Sequence, residues 1–228
     1  MSDDRAIIEH HIAVRRTARY YTLGGATRET RDVWIACHGY GQLALAFLSS
    51  MATIGAPDRL VVAPEGFSRF YVDRTSMTTD PPPKVGASWM TREDRDVEIA
   101  DQVVYLESLV GELRASLPGD VRLRLLGFSQ GVATVSRWVA RGTIRPDELI
   151  LWAGSFPPDI DLPAFSQRVA GTRVTMVFGS RDQLTPITAA EAQLARLTGA
   201  GIDATMMSFD GGHRLDDATL RTLASSAR

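Results

Sequence analysis

Five short, almost unbroken apolar runs restrict the fold of this chain more than any other feature. They are Val33-Trp34-Ile35-Ala36-Cys37, Leu60-Val61-Val62-Ala63, residues 123–126, Leu149-Ile150-Leu151-Trp152 and residues 174–178. A strand with one wet face alternates apolar and polar residues, whereas a strand covered on both faces does not. These runs therefore predict a buried parallel sheet, and a more mixed run over 204–209 predicts a further strand. Between the runs lie segments of helical period. Residues 97–117 place Val97, Ala100, Val104, Val110 and Leu113 on one stripe and stop at Pro118-Gly119. Residues 130–140, 186–197 (with Pro186 suited to a first helical turn) and 216–227 complete the set. Strands alternating with helices mean an α/β fold, mostly parallel, with helices on both faces. Only residues 9–21 differ: Ile12 and Val14 alternate with polar neighbours before Tyr20 and Tyr21, which suits antiparallel edge strands.

A chain of 228 residues fits a single domain, 1–228, with no internal repeat. One stretch, 66–92, has no sustained period and is too long for an ordinary connection; such loops commonly form binding walls or lids. The net charge of -2 gives no reason to expect nucleic acid or an acidic membrane. Lys84 is the only lysine, and the arginines, usually beside acids, read as a solvated surface. Cys37 is alone, so it forms no intramolecular disulfide and is read as a buried strand residue. No run approaches the ~20 apolar residues of a membrane span, and the polar N-terminus lacks a signal-peptide pattern. Cytoplasmic localisation is the expectation, and the oligomeric state is not legible.

The most chemically specific segment is Leu125-Leu126-Gly127-Phe128-Ser129-Gln130-Gly131, a G-x-S-x-G between a predicted strand and a predicted helix. A serine on so sharp a turn is held in a strained backbone conformation and needs small neighbours two residues away on either side. Its hydroxyl then projects above the carboxyl edge of the sheet, beside the N–H groups of the helix N-terminus. Ser129 is the candidate nucleophile. A serine hydroxyl also needs a base. His10 and His11 belong to the N-terminal segment and read as surface residues, and His38 ends the first parallel strand. His213, in Phe209-Asp210-Gly211-Gly212-His213, follows the last strand on glycines that let the loop swing back over the sheet. The third member must accept a hydrogen bond from the imidazole. Asp182 lies between a strand and a helix, where it could also serve as a helix cap. Asp159 and Asp161, in the preceding loop, are the rival acids.

Acyl transfer needs N–H donors for the developing oxyanion. Gln130, after the nucleophile, offers one, and the glycine-rich His38-Gly39-Tyr40-Gly41-Gln42 offers a second from Tyr40, or alternatively Gly41. The same loop supports a rival reading: Gly39-x-Gly41-x-x-Ala44 with Glu65 as ribose acid would make a dinucleotide-dependent oxidoreductase. That reading leaves the Ser129 constellation unexplained. A non-catalytic ligand-binding homologue is the other alternative. No G-x-x-x-x-G-K loop and no metal-ligand spacing of His and Cys is present in the sequence, so neither cofactor nor metal is expected.

Across Cys37-His38-Gly39-Tyr40-Gly41, Gly127 to Gly131, Gly179 to Pro186 and Gly211-Gly212-His213, the chain resembles the phospholipase/carboxylesterase branch of the α/β-hydrolases, which includes acyl-protein thioesterases. The resemblance implies an α/β-hydrolase fold without a separate cap domain. It also implies action on a small-molecule ester or thioester through Ser129, His213 and Asp182. Ser88-Trp89-Met90 is similar to a tryptophan-containing segment of the family's binding loop, so Trp89, with Phe70 and Met77, is expected in the substrate-binding wall. Val132 stands where the family often has glycine, Gln42-Leu43-Ala44 replaces an Asp-containing turn, and Arg214 follows the histidine. All three departures touch the pocket rim.

Overall fold

A computed structural model describes residues 6–72 and 83–226. The apolar runs form β2 (Asp32–Cys37), β3 (Arg59–Pro64), β6 (Arg122–Phe128), β7 (Glu148–Trp152) and β8 (Arg173–Gly179), with β1 (Tyr20–Leu23) and β9 (Ala204–Phe209) at the edges. They make one sheet of order β1-β3-β2-β6-β7-β8-β9, parallel except for β1, which pairs antiparallel with β3. Alternate residues of β2 supply two separate cores. Val33, Ile35 and Cys37 pack on the face covered by α2 (Arg95–Arg114), α3 (Gln130–Arg141), α4 (Leu162–Arg168) and α5 (Ile187–Gly199). Trp34 and Ala36 pack on the opposite face, under α1 (Ala44–Ser49) and α6 (Asp217–Ser225). This is the α/β-hydrolase arrangement, and no separate cap is present among the described residues. Chain order reverses between β2 and β6, so their carboxyl ends open a crevice where ligands bind in such sheets.

Three expectations need correction. The N-terminal segment pairs only from Tyr20 onward, and Ile12 (86% exposed) and Val14 lie outside any strand. Pro64, opposite Tyr20, is the last residue of its partner β3, and one further backbone hydrogen bond, from the Glu65 amide to the Arg19 carbonyl at 3.0 Å, continues the pairing. The stripe expected for α2 holds at its C-terminal end, where Val110 and Leu113 are buried in the core, and fails at its start. Val104 is 66% exposed and Val97 and Ala100 also face outward, while Ile99, Leu106 and Leu109 meet the core. The helix has apolar residues on both sides, and the larger ones take the sheet. The 66–92 loop contains a hairpin, β4 (Ser68–Tyr71) against β5 (Val85–Ser88), pairing Ser68 with Ser88 and Tyr71 with Val85. Its Gly86 and polar residues hide the period. Helices α1 and α4 were not predicted, and Pro186 stands just before α5 rather than inside it.

The arginines are not all solvated. At the amino edge of the sheet, buried Arg124 donates to Asp32 (3.0 Å) and Glu148 (3.0 Å), and Arg122 donates to Glu148 (3.2 Å). Arg59 donates to Asp32 at 2.7 Å. The same three guanidinium groups bind the last carbonyls of α6: Arg124 to Leu223 (2.5 Å), Arg59 to Ala224 (2.9 Å) and Arg122 to Ser226 (2.5 Å). Cations are favourable at a helix C-terminus because the unpaired carbonyls carry partial negative charge. Burial works against the charged forms, drawing Arg124 below and Glu148 above their ordinary pKa values. Arg124→Ala is expected to leave Asp32 and Glu148 buried without their central partner, costing about 3–5 kcal/mol. Urea unfolding monitored by tryptophan fluorescence measures that loss.

Candidate active site

Ser129 occupies the turn between β6 and α3 with φ 54° and ψ -115°, a conformation costing a non-glycine residue about 1–3 kcal/mol. Its amide donates to the Trp152 carbonyl on β7 at 2.8 Å. The turn closes because its flanking residues are glycine. A β-carbon on Gly131 would sit 2.1 Å from the Cys37 carbonyl oxygen, and one on Gly127 would sit 2.4 Å from that of Gly131. Moving aside would pull β2 out of the sheet in the first case and unwind the first turn of α3 in the second. Gln130 then ties the turn to the residues that follow β5: its Oε1 accepts from the Trp89 amide (3.1 Å), and its Nε2 donates to the Met90 carbonyl (2.8 Å).

His213 arrives from the loop after β9. Its Nε2 lies 2.9 Å from Ser129 Oγ, and its Nδ1 lies 2.8 Å from Asp182 Oδ2. A carboxylate only accepts, so Nδ1 carries the proton and the Nε2 lone pair faces the hydroxyl. The other Asp182 oxygen, Oδ1, accepts from the Leu184 and Thr185 amides at 2.8 and 3.0 Å, which fixes the buried carboxylate. Asp182 does not cap α5, whose N-cap is Pro186; one oxygen orders the turn before that helix and the other meets the imidazole. The rivals are occupied elsewhere. Asp159 accepts from Arg95, Arg137 and Arg141, and the Arg137 hydrogen bonds hold its carboxyl far below the usual range. Asp161 caps α4 through the Ala164 amide.

The remaining predicted residues divide. Among the described residues, the Tyr40 and Gln130 amides have no backbone acceptor, while the Gly41 amide donates to the Ala87 carbonyl at 2.8 Å. Gly41, the alternative donor, is thereby engaged. Tyr40 is 62% exposed and stacks on half-buried Phe70, with ring centroids 5.1 Å apart, at the rim. Trp89 does not line the rim. It is 1% exposed, rests against the His38 ring at 5.1 Å and donates its indole N–H to the His38 carbonyl at 2.9 Å. Met77 lies outside the described residues. Glu65, the ribose acid of the dinucleotide reading, is buried and accepts from Arg19, Arg69 and the Ala44 amide. Burial would raise its carboxyl, but those hydrogen bonds outweigh it and leave it below the ordinary value. With this acid and the Gly41 amide both occupied, the loop has no free cradle of that kind.

His10 and His11 are exposed, as expected, and His11 pairs with Asp94 at 3.0 Å. Cys37 is buried, which raises its thiol far above the ordinary value. Burial draws the His38 pKa below its ordinary value, with Nδ1 facing the Gly39 carbonyl and Nε2 accepting from the Gly66 amide at 3.0 Å.

Residues 24–228 match the family model described as Phospholipase/Carboxylesterase. The chain belongs to the phospholipase/carboxylesterase family. Among solved structures it is similar to esterase PE8 (20% identity, TM-score 0.66, covering 92% of this chain and 97% of that one). It is also similar to a phospholipase/carboxylesterase from Dyadobacter fermentans (14%, TM-score 0.65, covering 94% and 98%). A third is acyl-protein thioesterase 2 from Zea mays (16%, TM-score 0.63, covering 92% and 99%). At these identities the structures share the family fold with this chain. No curated protein sequence matches it.

Sequence inspection missed Trp152. This buried residue accepts the Ser129 amide through its carbonyl and donates its indole N–H to the Arg214 carbonyl at 3.0 Å, so one residue braces both Ser129 and the loop of His213. Its place at the end of a strand beside the Ser129 strand was the one available signal.

The elbow geometry makes a direct prediction. Gly131→Ala is expected to force β2 and α3 apart, costing at least about 1–3 kcal/mol. A fall in the urea midpoint relative to wild type checks it, and an unchanged midpoint would show that the turn relaxes freely.

Proposed function

We propose that this family member is a serine hydrolase of carboxylic esters or thioesters, with Ser129 as nucleophile, His213 as general base and Asp182 as the residue orienting the imidazole. The observation carrying the reading is the continuous line from Ser129 Oγ through His213 to Asp182, with contacts of 2.9 and 2.8 Å, at the carboxyl edge of the sheet. The names of the similar esterases and of the maize acyl-protein thioesterase agree with this substrate class.

Ser129 Oγ attacks the acyl carbonyl carbon as His213 Nε2 takes the hydroxyl proton. The carbonyl π electrons move to oxygen, and the Tyr40 and Gln130 amides donate to the resulting anion. The imidazolium, stabilised by Asp182, gives its proton to the leaving alcohol or thiol as the bond to the acyl carbon breaks. Water then attacks the acyl-enzyme with His213 again as base, and the acid leaves with Ser129 restored. These steps require no cofactor. Phe70, stacked beside Tyr40, is the residue of the expected wall best placed to touch the acyl group, whereas buried Trp89 supports the loop from below.

Two substitutions test the assignment. Ser129→Ala is expected to abolish labelling by a fluorophosphonate probe; persistent labelling would assign the nucleophile to another serine. Asp182→Asn is expected to present the wrong imidazole tautomer and lower kcat on p-nitrophenyl esters by about 10⁴. Asp159→Asn, which breaks only the arginine cluster, leaves kcat near wild type. The reverse pattern moves the acid to the preceding loop. A wild-type protein that folds but neither labels nor turns over an ester would instead be a binding homologue.

A further inference from the structure

The loop that carries His213 leaves β9 at Phe209 and reaches Arg214 before the cap of α6. Both ends of this loop meet one side chain. The buried Trp152 ring lies 5.8 Å from the Phe209 ring, and its indole N–H donates to the Arg214 carbonyl at 3.0 Å. Arg214 closes the loop from outside, with its guanidinium 5.4 Å from the Phe209 ring centroid and 3.4 Å from Asp216. Its amide donates to the Gly212 carbonyl at 2.9 Å. Arg214, expected at the pocket rim, thus directs its charge at Phe209 and at the residue capping α6.

Trp152 itself has little freedom. It pairs with Phe128 on β6 and Val177 on β8, and its carbonyl accepts the Ser129 amide at 2.8 Å. The next residue, Ala153, has φ 50°, a left-handed conformation that residues other than glycine rarely adopt. Its amide donates to the Val177 carbonyl at 2.8 Å. The turn brings Gly154 against Ser129, where a β-carbon would stand 2.3 Å from the Ser129 carbonyl oxygen. A backbone tied to both neighbouring strands and to the Ser129 turn gives the indole a fixed origin. One rigid side chain therefore spans from the turn of Ser129 to the loop of His213.

We propose that Trp152 is a positioning residue: clasped between Phe209 and Arg214, its ring holds the His213 imidazole against Ser129 before substrate arrives. The proposal rests on the hydrolase reading. The ring touches no reacting atom; it acts by orientation, and so on kcat rather than on KM.

The test is Trp152→Phe in the full chain, with Trp34→Phe as control. Phenylalanine keeps an aromatic ring in the core and removes the N–H. Trp34 belongs to the same core layer and also donates its indole N–H, but to Asp32 at the amino edge of the sheet, at 3.0 Å. The readouts are kcat and KM on p-nitrophenyl acetate and amide hydrogen exchange over residues 209–215. In Trp152→Phe, kcat is expected to fall about 10-fold or more at unchanged KM, because small misplacements of reacting groups cost up to about 10²-fold. Exchange over 209–215 is expected to quicken. Trp34→Phe is expected to lower the melting temperature and leave both readouts at wild-type values. A kcat loss below about fivefold in Trp152→Phe, an equal loss in Trp34→Phe, or exchange no faster than wild type overturns the proposal. If Trp152→Phe fails to fold, Phe209→Leu, which removes the ring that Trp152 and Arg214 both face, takes its place under the same criteria. Failure of the hydrolase reading looks different: the wild-type protein itself would neither label with fluorophosphonate nor turn over ester.

Discussion

The Cys37 carbonyl and the α-carbon of Gly131 approach so closely that a single added carbon would stand 2.1 Å from the oxygen. That contact joins the end of β2, the turn after β6 and the first turn of α3. It permits the strained backbone of Ser129, and the strain is offset by burial of Val132, Val135, Trp138 and Val139 behind it. Loosening the contact would let α3 rise off the sheet and carry the Gln130 amide and the Ser129 hydroxyl with it. The chemical geometry at the carboxyl edge is therefore a consequence of how closely two backbones pack.

A second constraint acts at the opposite edge. Asp32, Arg59, Arg122, Arg124 and Glu148 come from four strands, and the three arginines bind the terminal carbonyls of α6. Helix α6 begins at Asp217, just after His213, and Asp216 caps it through the Thr219 amide. The loop holding the imidazole is thus tied at one side by its helix and at the other by the Trp152 indole. Buried ion pairs of this kind add little net stability, but losing one member leaves the others uncompensated. The network thereby fixes where α6 lies.

Around the line from Ser129 to Asp182, single residues hold two parts together. Trp152 serves Ser129 with its carbonyl and the His213 loop with its indole. Asp182 divides its oxygens between a turn and the imidazole, and Gln130 lends its side chain to Trp89 and Met90, just after β5, while its amide stays available. Such sharing makes the site rigid, since no member can move without disturbing a second contact.

The sequence by itself determined the sheet, its parallel sense and the place of the serine turn. These follow from local period and from glycines at fixed offsets, which the chain carries in linear order. It also narrowed the acid to Asp182, Asp159 and Asp161, and the candidate donor to Tyr40 or Gly41. Only the tertiary structure shows which of these groups already has partners elsewhere. Asp159 is held by three arginines and the Gly41 amide by Ala87. The outward-facing Val97, Ala100 and Val104 of α2, the hairpin in 66–92, the burial of Trp89 and the arginine clamp on α6 were likewise invisible in linear order. Each depends on residues far apart in the chain competing for one space or one charge, and the fold decides that competition by bringing them together.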